Sequence, residues 1–255
     1  MDLYFQGVAS AYKGLTPKDM MQARVFFEHA LERDPGNVEA LVGIAWVDYV
    51  CAASFFADDR AALLAAAEVT FTKALSLAPD HAFAHLGLGS LKIHSSRVAQ
   101  GIAECEQALA LDRNLAAALG TIGLAKIYHG HCEETEAHIN EALRLSPRDK
   151  FAYLWFTFAG QAKFLLSSDE EAVTRLRRAV ETNGNFPSTH FWLAAALAHL
   201  GRQNEAQAAL QAGLALNPTF TVARARAGAP SDNPTYLVQR ERFFDGLRKT
   251  GLPEE

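Results

Sequence analysis

The densest group of side chains able to do chemistry is His129-Gly130-His131-Cys132, with Glu134 and His138 close behind it. Imidazole, thiolate and carboxylate together could hold a zinc ion. The His-x-His-Cys run does not have the ligand spacing of a structural zinc site, and His138 falls away from the others on a helix that begins near Cys132. The expectation is solvated turn histidines beside a buried thiol, with no metal and no cofactor. Acidic neighbours occur at Asp58-Asp59, Glu133-Glu134 and Asp169-Glu170-Glu171. Adjacent residues on a helix point to different faces, so these pairs are not poised for acid–base work. They fit the first turns of helices, where negative charge is favourable. Arg175, Arg177 and Arg178 form a small basic cluster, with Glu171 one helical turn before Arg175. A solvated, ion-paired face is the expectation there, not a phosphate site. No GxxxxGK(S/T) loop, no GxGxxG after a strand and no GxSxG elbow occurs. Without a nucleophile–base pair or a metal constellation, no enzyme is expected.

The elements that must carry these side chains are helices. The chain has 255 residues, 49% hydrophobic and 21% charged, which is ordinary globular composition. Lys and Arg number 24 against 29 Asp and Glu, for a net charge of −5. That balance argues against nucleic acid or an anionic membrane as the main partner. The longest alanine-rich run, 61–67, is far too short to span a bilayer. Cys51, Cys105 and Cys132 form no CxxC pair and cannot make a disulfide framework, so a reducing, cytoplasmic setting is expected. Residues 1–7 end in Leu-Tyr-Phe-Gln-Gly. This resembles a tobacco-etch-virus protease site without the usual Glu-Asn before leucine, so they carry no functional argument.

A repeat organises the rest. Ala-Leu-Glu-Arg-Asp-Pro35, Ala-Leu-Ser-Leu-Ala-Pro79, Ala-Leu-Arg-Leu-Ser-Pro147 and Gly-Leu-Ala-Leu-Asn-Pro218 are one phrase, and Ala108-Leu109-Ala110-Leu111-Asp112-Arg113 is a copy with arginine in place of proline. Each phrase ends a helix, because proline cannot continue it. A second helix follows with a small residue about seven positions in, as at Leu88-Gly89, Ile122-Gly123 and Leu193-Ala194. Gly130 and Gly201 mark turns between helices. Helix-favouring Leu, Ala, Glu, Gln and Arg dominate, and no stretch alternates like a strand.

This pattern resembles the tetratricopeptide repeat (TPR), two antiparallel helices in about 34 residues. The resemblance implies an all-α, right-handed superhelix over residues 1–220, with five to six helix pairs at 4–37, 38–81, 82–115, 116–149, 150–186 and 187–220. The first copy is imperfect, with an enlarged turn at Gly14-Leu15-Thr16-Pro17. About ten extra residues are placed around 55–62, including Phe55-Phe56, and about three near 166–169. Residues 221–255 are expected to be a linker and a capping helix on the last repeat. In that segment Ser231-Asp232-Asn233-Pro234 starts a helix over 232–249 with an apolar stripe of Tyr236, Leu237, Arg240, Phe243, Phe244 and Leu247. His81 and His85 are four apart, and the resemblance gives His85 a packing role. The wording of 101–112, of Glu133-Glu134-Thr135-Glu136-Ala137-His138-Ile139, of Ser146-Pro147-Arg148-Asp149 and of Ser231-Asp232-Asn233-Pro234-Thr235-Tyr236-Leu237 is similar to the C-terminal TPR region of bacterial proteins. In those proteins the region is joined to a class III adenylate or guanylate cyclase domain, or to a winged-helix domain. A regulatory or interaction region of a signalling protein is thereby implied.

The resemblance also places the first helix of each pair on the inner surface. It gives a groove of Val42, Trp46, Tyr49, Phe83, Leu86, Ile93, Leu124, Ile127, Tyr128, Phe151, Leu154, Phe158 and Phe191. Ser90, Gln161, Ser188 and His199 lie beside them. Chaperone-binding TPR domains carry Lys, Asn and Arg there to hold a carboxylate, whereas this sequence has Val42 and Trp46. An apolar, aromatic groove points to a protein or peptide partner. Enclosure of a small apolar ligand, or self-assembly into a homo-oligomer, is the alternative.

Overall fold

In the computed structural model, residues 3–13, 16–54, 56–57 and 59–254 are described. Gly14, Leu15, Phe55 and Asp58, named above, lie outside them. Among the described residues there are fourteen helices and no strand. The chain forms two compact units, Met1–Leu115 and Ala116–Glu255.

The first unit holds α1 (Leu3–Ala11), α2 (Pro17–Arg33), α3 (Val38–Ala53), α4 (Arg60–Leu77), α5 (Ala82–His94) and α6 (Val98–Leu111). The second holds α7 (Ala116–Tyr128), α8 (Cys132–Leu145), α9 (Ala152–Leu165), α10 (Asp169–Thr182), α11 (Pro187–His199) and α12 (Gln203–Leu216), then the short α13 (Val222–Ala227) and α14 (Pro234–Lys249). From α1 to α12 odd and even helices pack as antiparallel pairs, and within each unit α1, α3 and α5, and α7, α9 and α11, also touch in succession. Residues 3–7, set aside in the sequence, are the first half of α1. Gly7 is pressed on Phe27: a Cβ there would lie 2.5 Å from the ring.

The repeated phrases end helices as expected. Asp34, Ala78, Ser146 and Asn217 are C-caps with extended backbone, each followed by proline. Asp112 and Asn183 hold the same geometry without proline. Their side-chain oxygens accept from the N–H two residues on, Asn114 at 2.9 Å and Asn185 at 2.9 Å, an Asx turn that replaces the ring's constraint.

The turns within the last four pairs are equally uniform. Ser96, Gly130, Ser167 and Gly201 each sit at the middle of a three-residue turn with positive φ. In each, the next N–H closes back on the helix: Arg97 to Lys92, His131 to Lys126, Ser168 to Lys163 and Arg202 to Leu197, all at 2.9 Å.

Two placements differ from the sequence reading. The extra residues around 55–62 mostly lengthen the pair: α3 and α4 have 16 and 18 residues against 13 and 14 in α5 and α6. Alanine-rich helix formers on both sides allow this. The three extra residues of the fifth repeat are not at 166–169, where the turn has the common length. They lie in a longer link at 146–151 and one more residue in α9. There Asp149 accepts from Ser146 Oγ at 3.0 Å and from the Phe151 N–H at 2.8 Å, which builds the longer link.

Candidate functional site

In the first unit, α3 and α5 bring Trp46 against Phe83, with ring centroids 5.1 Å apart, and against Tyr49 at 5.4 Å. Val42, Tyr49, Leu86 and Ile93 are buried in the helix stack, as is Ser90. Trp46 and Phe83 are only half-buried. They rim a shallow, half-open hollow of about 40 Å³ whose other walls are Tyr4, Val8 and Ala11 of α1, Tyr12 just after it, Phe27, Val42, Gly43 and Glu39. The wall is apolar and aromatic with a single carboxylate. His81 caps α5: its Nδ1 accepts from the Ala84 N–H at 3.1 Å, and Nε2 lies 3.1 Å from Glu39. His85 is not simply a packing residue. It is half-buried and ties Glu104, 2.7 Å from Nδ1, to the Pro79 carbonyl, 2.9 Å from Nε2. Below the hollow, Tyr49 Oη is 3.1 Å from His94 Nδ1, which is also 3.0 Å from the Ser90 carbonyl. Burial pushes the Tyr49 hydroxyl well above its ordinary range and pulls His94 down to about 4.

The second unit presents the corresponding helices α7, α9 and α11, but another helix lies on them. Leu124, Ile127, Tyr128 and Phe191 are buried; Phe151, Leu154, Phe158 and Ser188 are half-buried, while Gln161 is buried. Leu154 and Phe158 pack on a core of Ile139, Trp155 and Ala159. Over the carboxyl ends of α7, α9 and α11 runs α14. Tyr236 meets Tyr128 edge-on at 5.2 Å, and Ser231 Oγ donates to the Tyr128 carbonyl at 2.7 Å. Asn233 caps α14 and donates from Nδ2 to the His129 carbonyl at 3.0 Å. Arg242 grips Asp169 with two bonds, 2.8 and 2.6 Å, donates to the Phe164 carbonyl at 3.1 Å and lies over the Phe164 ring. Phe243 stacks on Trp192. His199 Nε2 donates to the Arg242 carbonyl at 2.9 Å, and Gln203 donates to that of Lys249 at 2.6 Å. Gly246 permits the close approach: a Cβ there would lie 2.8 Å from Ala195 Cα.

The stripe expected on α14 is real, since Tyr236, Arg240, Phe243, Phe244 and Leu247 are buried, while Leu237 is exposed. Its place is the first-helix face of the two preceding repeats, reaching to α7. Sequence reasoning did not single out Phe164, Asp169 or Trp192 as inner-face residues. The signal was α11 itself, which is apolar on every side and therefore covered on every side.

The chemistry-bearing cluster divides. Cys132 is buried, its Sγ donates to Gln239 Oε1 at 3.5 Å, and burial pushes the thiol up to about 12. His131, Glu133 and Glu134 are exposed, with potential ligand atoms within 4.8 Å of one another, and His129 packs beside His131. Lys126, 2.6 Å from Glu134, holds that carboxylate below its ordinary range. His138 is half-buried and likewise lowered by burial. Arg175 does not pair with Glu171 as its spacing suggested. It meets Glu136 at 2.5 Å, while Glu171 is taken by Lys163 at 2.7 Å, reached from the neighbouring helix. Arg177 pairs with Glu205, and Arg178 with Glu181 at 3.1 Å. The basic cluster is thus ion-paired throughout.

Residues 187–220, the α11–α12 pair, match the family model of the tetratricopeptide repeat. The fold is that of a tetratricopeptide-repeat protein. Among solved structures, the human IFIT1 dimer with m7Gppp-AAAA is 19% identical, with a TM-score of 0.70 over 94% of this chain and 57% of that one. A chain of the APC/C hetero-tetramer Cut9–Hcn1 is 17% identical, with a TM-score of 0.61 over 88% of this chain and 39% of that one. Pseudomonas aeruginosa pilF is 18% identical, with a TM-score of 0.57 over 86% of this chain and 97% of that one. This chain therefore spans well under two thirds of the first two. No curated protein matches the sequence. No described helix of this TPR fold is long and apolar enough to cross a membrane.

Proposed function

We propose that the chain is a non-catalytic TPR interaction module that binds a peptide or protein partner, with its docking face in the first unit around Trp46 and Phe83. The observation that carries this reading is the half-open aromatic hollow on α1, α3 and α5. Large, pre-packed rings there offer contact area at little entropic cost. The remaining groove residues of the first unit, Val42, Tyr49, Leu86 and Ile93, support the face from beneath. Of those of the second unit, Tyr128 lies under α14, Leu124, Ile127 and Phe191 are buried, and Phe151, Leu154 and Phe158 stay half-buried. The ion-paired arginines and the net negative charge favour a protein over a nucleic acid as partner. The resemblance in wording to cyclase-linked and winged-helix-linked regions is what suggests a regulatory role in a cytoplasmic bacterial signalling protein.

Selection of binders from a displayed peptide library against the full chain tests the reading. Selected peptides should be apolar, bind with weak salt dependence, and lose at least about tenfold in affinity on Trp46→Ala or Phe83→Ala in variants with unchanged circular dichroism. Equal binding to both folded variants would move the docking face elsewhere.

A further inference from the structure

The first repeats of the second unit pack on a core that does not include α14. The cluster around Ile139, Trp155 and Ala159 draws only on α7, α8 and α9. Outside that core α14 packs mainly on α11, and it is reached through residues 228–233, which form no helix. We propose that the face of α7, α9 and α11 is a receptor for an amphipathic helix, held in cis by α14. The partner that competes for it is a helix presenting an arginine followed directly by two aromatic residues, and a leucine-sized residue three positions on.

The occupant in place defines that chemistry. Arg242 enters a recess whose polar wall is the Asp169 carboxylate and the Phe164 carbonyl, an arrangement for a planar, bidentate cation that lysine does not match. Phe243 finds the Trp192 indole, and Leu247 is fully buried one turn on. The residue four after the arginine must be small, because Gly246 sits directly on the α11 backbone at Ala195. This is recognition of a helix in a groove, read as anchors on one face. The tie of Ser231 to Tyr128 is buried, but those of Arg242, Gln203 and Asn233 are half-buried or exposed, so a competing helix can take these over one at a time. The proposal stands independently of the docking face in the first unit.

The test uses the full chain and a fluorescent peptide of residues 231–254. In the wild type the tethered helix competes at an effective concentration in the millimolar range, so the peptide should bind at least about tenfold more weakly than to Arg242→Ala. Adding Asp169→Asn to that variant should weaken peptide binding about tenfold, because the peptide's own arginine loses its bidentate partner. Hydrogen exchange of the wild type should show amides of 234–249 opening ahead of those of α11. Equal peptide binding by wild type and Arg242→Ala would overturn the proposal, as would exchange of α14 only together with α11. The exchange result decides even if Arg242→Ala fails to fold. A concentration-dependent dimer of Arg242→Ala that excludes the peptide would also overturn it, by making a second copy's α14 the occupant.

Discussion

The rings of Trp192 and Phe243 lie stacked, with centroids 4.0 Å apart and 28° between their planes. Trp192 also meets Phe164 edge-on at 5.8 Å, so one aromatic file runs from α9 through α11 to α14. Phe243→Ala removes a buried ring from the end of this file and should cost about 3–5 kcal/mol in urea unfolding. A double-mutant cycle with Trp192→Ala should give a coupling of about 0.5–1.5 kcal/mol. Strict additivity would mean that the stack holds no energy beyond buried area.

Arg24 of α2 pairs with Asp48 of α3, whose carboxylate is almost fully buried. Removing only the cation strands that charge. Arg24→Met should cost about 3 kcal/mol, and adding Asp48→Leu should recover most of it. The exposed Arg144–Glu141 pair, 2.7 Å apart, is the contrast: Arg144→Met should leave the melt almost unchanged. Thermal melts of the wild type and the three variants check the ordering.

Much of this architecture is legible in the residues. The prolines at 35, 79, 147 and 218 mark helix ends because the ring dictates the backbone before it. Even Arg113 could be aligned, because Asp112 supplies the same turn through its side chain. The address of α14 was not legible. An apolar stripe tells that a helix is covered, not by what, and the decisive partners, Asp169 and Trp192, are more than 40 residues away in sequence. Helical periodicity could not separate Trp46, which stays half-exposed, from Tyr49, one turn later, which does not. Which of two inner-face rings reaches solvent depends on the neighbouring helix, here α5 with His94 and Phe83. The Arg175 pairing was misplaced for the same reason: Lys163 comes from another helix.

Gly246 has no special backbone conformation; its need is space. A methyl group there would meet Ala195 Cα, Cβ and the carbonyl oxygen at 2.8–2.9 Å, which only a shift of α14 relieves. Gly246→Ala should therefore destabilise by about 1–3 kcal/mol, despite alanine's better helix propensity. Hydrogen exchange should show the loss concentrated in α14. A more stable variant would show that α14 moves outward without cost.

His94 makes the first unit acid-sensitive. It is held at the end of α5 beneath the hollow, edge-on to Tyr49 at 5.4 Å, and burial is the main cause of its pKa falling to about 4, with Arg60 adding repulsion and the Ser90 carbonyl opposing. An unfolded histidine titrates near 6.5. Between those two values the unfolded chain binds a proton that the folded chain refuses, so stability is full above about pH 6.5 and falls as the pH drops towards 4. The loss is on the order of 3 kcal/mol from this group. Burial lowers His138 and His199 too, so their contributions have the same sign and begin in the same range. Carboxylates held low by arginine, such as Glu68 beside Arg97, contribute only at lower pH. Urea midpoints of wild type and His94→Gln at about pH 7 and about pH 4.5 separate these effects. The variant should be less stable at neutral pH but lose distinctly less on acidification. An equal loss in both proteins would mean that His94 accepts its proton without disturbing the fold.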